Sequence, residues 1–493
     1  MYLSRMQHEC FIALKTEIFM LKKYLFLTLF LFSELLAFSK GKAAESLPSS
    51  KLVDFLKQQS PQTLKEGLKV APGGDESTLA LYEGDSLHLQ KMIDDPKRTS
   101  FEKKFINTDL LRTKGDFKEA DRQLKICHKT YFMEGSGIHL SPINLGAMIC
   151  DQLLAGNYFL EGNLAAWGKE IDDIKNTYYP PIRKFAGLEQ FSLFDIKMGS
   201  LSVAPNSIPP FTVTGIDQQQ TLPLQSQKLT QEGNKSITWN VPYLTASLNG
   251  TDFSFFLGTD TAISFLPKAL SHSPHVHIVG HIEIATNGRG EAYNGDLGIV
   301  DELKIGTAIL KNVPFLFTNT DEASLSLMVL QKLGKIKIDR QYFTFGKDID
   351  CHCQKDIQLG SIFDGRFHAL RYPITWQGKT EMAAINLRLT DAHLSFMVFQ
   401  PDFTPEEEKQ SFEMDREING KKIISSIYLT DGNLSIDGID YGKRLKSVEK
   451  DELHIPAKVI GVSILDKGSL YLDFINHKAC LKPNTSDTTP MPQ

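Results

Sequence analysis

Between about residues 47 and 184 the apolar positions recur at the three- and four-residue spacing of amphipathic helices, whereas beyond residue 236 they alternate in short runs broken by turn dipeptides. That change of period predicts a multidomain α + β chain with a helical amino-terminal domain, residues 45–185, and a β-rich remainder. In the helical part, Leu110 to Lys114, Gly115, and Phe117 to Leu124 read as helix, glycine turn and helix. The stretch from Cys150 through Gly156 to Leu164 and Trp167 repeats that order, with Glu161 standing where Ala120 stands in the first unit. Tyr179-Pro180-Pro181 ends the pattern, since proline cannot continue a helix. The Pro-, Gln- and Ser-rich residues 186–235 read as a linker.

In the β-rich part, residues 241–248 and 253–257 flank Asn249-Gly250 and predict a hairpin that leads into Thr259-Asp260-Thr261. Further runs follow at 276–286, 298–306, 310–315, 325–330 and 334–339, with Asn287-Gly288 and Asn419-Gly420 as additional turn signals. The same order then returns. Residues 372–378 mirror the strand and turn that end at Gly250, 460–465 mirror 325–330 with Gly461 opposite Ser326, and 468–473 mirror 334–339 position by position. Two similar β lobes are predicted, 236–345 and 365–482, related by a pseudo-twofold axis and followed by a tail, 483–493.

The stretch Ser254-Phe255-Phe256-Leu257-Gly258-Thr259-Asp260-Thr261-Ala262-Ile263-Ser264-Phe265-Leu266 resembles the active-site strand and turn of retropepsin-like aspartic proteases, in which an apolar strand runs into Asp-Thr-Gly-Ala-Ser. The later order of central strand, apolar-Gly-apolar turn, short helix and closing strand is similar too, and the helical units resemble tetratricopeptide hairpins. The resemblance implies two retropepsin-like or pepsin-like lobes in one chain, with a cleft between them that takes a peptide or protein ligand, and a helical surface for a protein partner.

Catalysis in that family needs two carboxylates sharing one proton, one acting as base and the other as acid. Two registers are open. Without gaps, Gly258 and Asn386 occupy the two acid positions, Asp260 lies opposite Arg388, and no dyad exists. With short insertions, Asp260 and Asp391 form the pair, framed by Thr259, Thr261 and Ala262 in one lobe and by Thr390 in the other, although Ala262 and His393 replace the motif glycines. The resemblance therefore implies a degenerate homologue acting as a peptide-binding or scaffold protein. An active endopeptidase using Asp260 and Asp391 is the alternative, and a structural protein acting through its helices is the third.

Composition narrows the remaining classes. With 493 residues the chain exceeds one ordinary core. Its net charge of -5 is spread without a basic patch, so nucleic acid is not expected as a partner. Lys22-Lys23, the apolar residues 24–32 and Ala37-Phe38-Ser39 form the three zones of a secretory signal peptide. We expect a leader, residues 1–39, with Met20 as the effective start, and a mature chain exported to the periplasm or beyond without stable membrane insertion.

An oxidising compartment permits disulfides. Cys127 and Cys150 lie on neighbouring helices and are one candidate pair, while Cys480 is expected to meet either Cys351 or Cys353. Cys351-His352-Cys353 lacks the usual ligand gap of a metal site, and His275 with His277 lacks a third ligand at matching spacing. No metal or cofactor is expected.

Overall fold

The computed structural model describes residues 74–133, 145–178, 199–231, 237–285, 292–389, 396–399, 411–418, 421–449 and 458–484. The leader, Thr390, Asp391, Asn287-Gly288 and Asn419-Gly420 lie outside them. The described part is an α + β structure, with helices in its amino-terminal region and a large mixed β region after them. No helix among the described residues is long and apolar enough to cross a membrane.

Six helices form three hairpins: α1 (Gly74–Glu83) with α2 (Ser86–Asp94), α3 (Ser100–Thr113) with α4 (Phe117–Met133), and α5 (Leu145–Leu160) with α6 (Leu164–Thr177). One local device closes all three. Gly84, Gly115 and Gly162 take φ of 66, 78 and 75°, the left-handed region that only glycine enters without strain. The residue after each glycine sends its N–H back to the helix just ended: Asp85 to Ala80 O, Asp116 to Leu111 O and Asn163 to Tyr158 O. The side chain of that same residue caps the next helix by accepting from the N–H of His88, Glu119 or Ala166.

Gly115 thus serves as a turn, as expected, but Gly156 does not. It lies inside α5, and the turn falls at Gly162. A Cβ on Gly156 would sit 2.2 Å from the carbonyl oxygen of Phe363 and 2.8 Å from the nitrogen of Gly365. The small residue admits a loop of the β region and not a partner helix.

Residues 186–235 are not all linker, because β1 (Ser200–Leu201), β2 (Thr212–Thr214) and β3 (Gln220–Gln231) fall within them. In β3, Leu222 and Leu224 pack against the core while Thr221, Pro223 and Gln225 face solvent, a period of two hidden by the polar composition. The first strand set follows: β4 (Ile237–Leu248), β5 (Thr251–Gly258), β6 (Ser264–Pro267), β7 (Val276–Ala285), β8 (Ala292–Ile305), β9 (Ala308–Thr318), β10 (Ala323–Ser326), helix α7 (Leu327–Lys332) and β11 (Lys335–Ile338).

After β12 (Tyr342–Gly346) and β13 (Gln358–Ser361) comes a second set. It comprises β14 (His368–Trp376), β15 (Lys379–Ile385), β16 (Phe396–Phe399), β17 (Ser411–Ile418), β18 (Lys421–Ile436), β19 (Ile439–Glu449), β20 (Lys458–Ile460), a 3-10 turn over Val462–Leu465, and β21 (Gly468–Asp473). Strand β22 (Lys478–Pro483) ends the described chain.

The two sets repeat one pairing scheme, each strand answering to the one numbered ten higher. Antiparallel pairs β4–β5, β4–β8, β6–β10, β7–β8 and β8–β9 return as β14–β15, β14–β18, β16–β20, β17–β18 and β18–β19. The parallel pairs β5–β10 and β6–β9 return as β15–β20 and β16–β19. Both leading hairpins close on positive-φ pairs, Asn249-Gly250 and Gln377-Gly378.

The closing strands β11 and β21 pair with each other, with Lys337 opposite Tyr471. Those two residues are also counterparts in the repeat that matches Gly334 to Gly468, so a local twofold axis passes between them. This pairing carries β21 and β22 into a fourteen-stranded sheet with the first set, while β13 to β20 make a separate eight-stranded sheet.

One apolar core runs through both strand sets, and a second joins Phe159, Trp167 and Ile171 of the helices to Ala262, Ile263, Phe265, Ile282 and Ile284 of the first set. The seam between helices and the second set is polar. Arg112 of α3 donates to the carbonyls of Ile362 and Phe363 at 2.8 and 2.9 Å, and Arg371 donates to Tyr82 O. His368 is buried at this seam, where desolvation, assisted by Arg112, pushes its imidazole pKa down to about 3.

Two outcomes follow. Gly156→Ala forces a methyl into the Phe363 carbonyl and is expected to destabilise the protein by about 1–3 kcal/mol; an unchanged melting temperature would show that the seam yields at no cost. His368 resists protonation when folded but not when unfolded, so its contribution to stability is complete above the ordinary histidine pKa of 6.5 and is lost as pH falls toward 3. A His368→Phe variant should therefore lose less melting temperature than wild type between those values, and parallel curves would exclude this role.

Candidate functional site at the junction of the strand sets

Strand β5 ends at Gly258 beside Ser326 of its parallel neighbour. Strand β15 ends at Ile385 beside Ile460, and the N–H of the next residue, Asn386, donates to Ile460 O at 3.0 Å. Asn386 thereby reaches the level of Gly461, as Gly258 reaches that of Ser326. Gly258 and Asn386 occupy corresponding ends of corresponding strands.

Thr259 makes two of the hydrogen bonds that cross between the sets at this level. Thr259 Oγ1 donates to Ile385 O at 2.6 Å, and the N–H of Leu370 donates to Thr259 O at 2.7 Å. Behind them the turn is tied down locally. Thr261 Oγ1 donates to Gly258 O at 3.2 Å, Leu327 N–H donates to Thr261 O at 3.3 Å, and Ser326 N–H donates to Ser264 Oγ at 3.0 Å. A Cβ on Gly258 would come within 2.5 Å of Thr261 Oγ1 and 3.1 Å of Leu325 O, so the glycine fits a crowded strand end.

The side chain of Asn386 is used at both ends. Its Oδ1 accepts the N–H of Arg388 at 2.9 Å, which turns the amide nitrogen toward Asp260, and Nδ2 donates to Asp260 Oδ2 at 2.6 Å. Asp260 is only 5% exposed. Beside this pair Arg388 forms an ion pair with Glu322 and lies 5.1 Å from the centre of the Phe256 ring. Beyond it Ala262 and Ile263 are fully buried in the core shared with the helices.

An amide that donates to a carboxylate stabilises the ionised acid and cannot take a proton from it. Among the described residues, this amide donates to Asp260, while the nearby carboxylate of Glu322 is paired with Arg388. Asp260 and Asn386 are brought together, whereas Thr390 and Asp391 fall outside the described residues. Arg388, expected opposite Asp260, forms an ion pair with Glu322. Nothing in the spacing of the sequence singled out Glu322 or Leu370, since both reach the junction through strand order and not through a local motif.

The cysteines divide unevenly. Cys127–Cys150 and Cys353–Cys480 are disulfide-bonded, and Cys351 is a buried free thiol raised to about 11, chiefly by burial. His275 and His277 both hydrogen-bond to Asp301, at 3.2 and 2.8 Å, on an exposed face. No group of three or more His, Cys, Asp or Glu among the described residues is placed to hold a metal ion.

Replacing Thr259 by the isosteric valine removes the bond to Ile385 O and leaves a buried carbonyl without that donor. A loss of about 1–3 kcal/mol in denaturant unfolding is expected, and a Thr259→Val protein as stable as wild type would mean the cross-set bond contributes nothing.

Neither protein-family models nor curated proteins provide a match to this chain, so the reading of the junction rests on its own residues.

Proposed function

We propose that this chain is an exported, non-hydrolytic relative of retropepsin-like aspartic proteases, in which the two β lobes act as a scaffold and any ligand is held rather than cut. The observation that carries the reading is the 2.6 Å contact between Asn386 Nδ2 and Asp260 Oδ2, with Gly258 at the position corresponding to Asn386. A peptide hydrolase of this type needs a neutral acid and an ionised base in contact, and an amide can be neither at useful pH.

The repeated pairing scheme and the local twofold between Lys337 and Tyr471 support the bilobal reading. The core shared by Ile263, Phe265 and the helices favours a scaffold over an open cleft on that flank, since those positions next to Asp260 are already covered. Two disulfides and the leader pattern support export. The helical region is then the part of the molecule that offers a surface to a ligand or partner.

Incubating the mature protein with a peptide library from acidic to neutral pH, with and without an aspartic-protease inhibitor, tests the reading. No inhibitable cleavage is expected at any pH. Cleavage by wild type that disappears in Asp260→Asn would replace this proposal with an active endopeptidase.

A further inference from the structure

Helices α4, α5 and α6 line an open cavity of about 470 Å³ on the side of the helical region that carries the Cys127–Cys150 disulfide. That volume lies in the range of small-molecule sites. Its floor is apolar, made by Leu154, Ala166 and the ring of Tyr158, and its rim carries Lys125, Lys129 and Lys169.

The walls are fixed by bonds around Asp151. Asp151 Oδ1 lies 2.7 Å from His128 Nδ1, and Tyr178 donates its hydroxyl to Asp151 Oδ2 at 2.6 Å. Cys127 and Cys150, the chain neighbours of His128 and Asp151, bind α4 to α5 at the same level. Asp151 is thereby occupied within the wall. The one other acid of the cavity, Glu170, is pushed up to about 7, first by burial and then by Asp151 and Asp173, so it carries only part of its negative charge at neutral pH, against three lysines. Lys129 and Lys169 have no ion-pair partner within 4 Å among the described residues, and both are exposed and line the cavity.

We infer that this cavity binds a small organic anion, a carboxylate or a phosphate carried on an apolar body, with Lys129 and Lys169 on the charge and Leu154 and Tyr158 against the body. The inference deepens the ligand-holding role proposed for the helical region. It involves no peptide cleavage, so hydrolysis by the β lobes would leave it standing.

The test is calorimetric titration of the full mature chain with benzoate, phenyl phosphate and, as the cationic counterpart, benzylamine. Saturable binding of at least one anion is expected, and which anion binds decides between carboxylate and phosphate. A Lys129→Gln/Lys169→Gln variant, altered only at exposed side chains, should bind roughly tenfold or more weakly. Ala166→Trp, which fills the cavity, should bind neither anion while keeping its melting transition. The inference is overturned if neither anion saturates, if benzylamine binds as tightly as the anions, or if the lysine variant binds unchanged.

Discussion

The pairing of β11 with β21 is the constraint from which the junction follows. Each strand set leaves one closing strand whose far edge would otherwise expose a row of unpaired backbone groups. The two edges satisfy each other, and because Lys337 faces its own counterpart Tyr471, the register that pairs them also sets a local twofold between the strands. Strands β12 and β22 then extend the sheet on either side. With the closing strands fixed, the ends of β5 and β15 are brought face to face, and the bonds from Thr259 to Ile385 and from Leu370 to Thr259 become short enough to form.

The helices depend on the β region in a different way. Their hairpins are specified locally, by glycine followed by Asp or Asn, but a chain of hairpins has apolar faces to cover. Those faces are buried against Ile263, Phe265, Ile282 and Ile284, and the backbone of Gly156 meets that of Phe363 and Gly365. Close backbone contact leaves carbonyls that need donors, and Arg112 supplies two of them from the helical side. Burying that guanidinium lowers its pKa to about 10, mainly through desolvation. The seam therefore combines close backbone packing with hydrogen bonds from Arg112, while both ring nitrogens of the buried His368 lack a hydrogen-bond partner among the described residues, so a methyl on Gly156 or a proton on His368 is poorly accommodated there.

Much of this was legible in the sequence because it is encoded locally. The shift from helical to alternating spacing, the Asn249-Gly250 and Gln377-Gly378 turns, and the likeness of 468–473 to 334–339 all have short-range causes, and the strand sets follow them. Gly156 was misread because a glycine in a helical pattern looks the same whether it ends a helix or admits a distant carbonyl. The turn at Gly162 was carried by the following Asn163, a capping residue. Strand β3 was read as linker because Gln and Ser face solvent on an edge whose buried side is only Leu222 and Leu224. The registers at Asp260 remained open for a deeper reason. A two-residue slip preserves alternation along a strand, so the pattern alone cannot exclude it. The parallel partner is what fixes the level of Gly258, and that partner lies some seventy residues away along the chain.

The chemistry of the junction turns on an amide that donates to a carboxylate. Two carboxylates in hydrogen-bond contact must share a proton, so at least one of them titrates near a useful pH and the pair can move a proton during reaction. The bond between Asn386 and Asp260 keeps one protonation pattern as long as Asp260 is ionised, because the amide always donates and its oxygen is committed to Arg388 N–H. Such a contact needs no water and no open cleft to be satisfied. It lies at an Asp260 only 5% exposed, just before the fully buried Ala262 and Ile263. A contact that holds one protonation pattern is therefore compatible with the covered, helix-packed flank beside it.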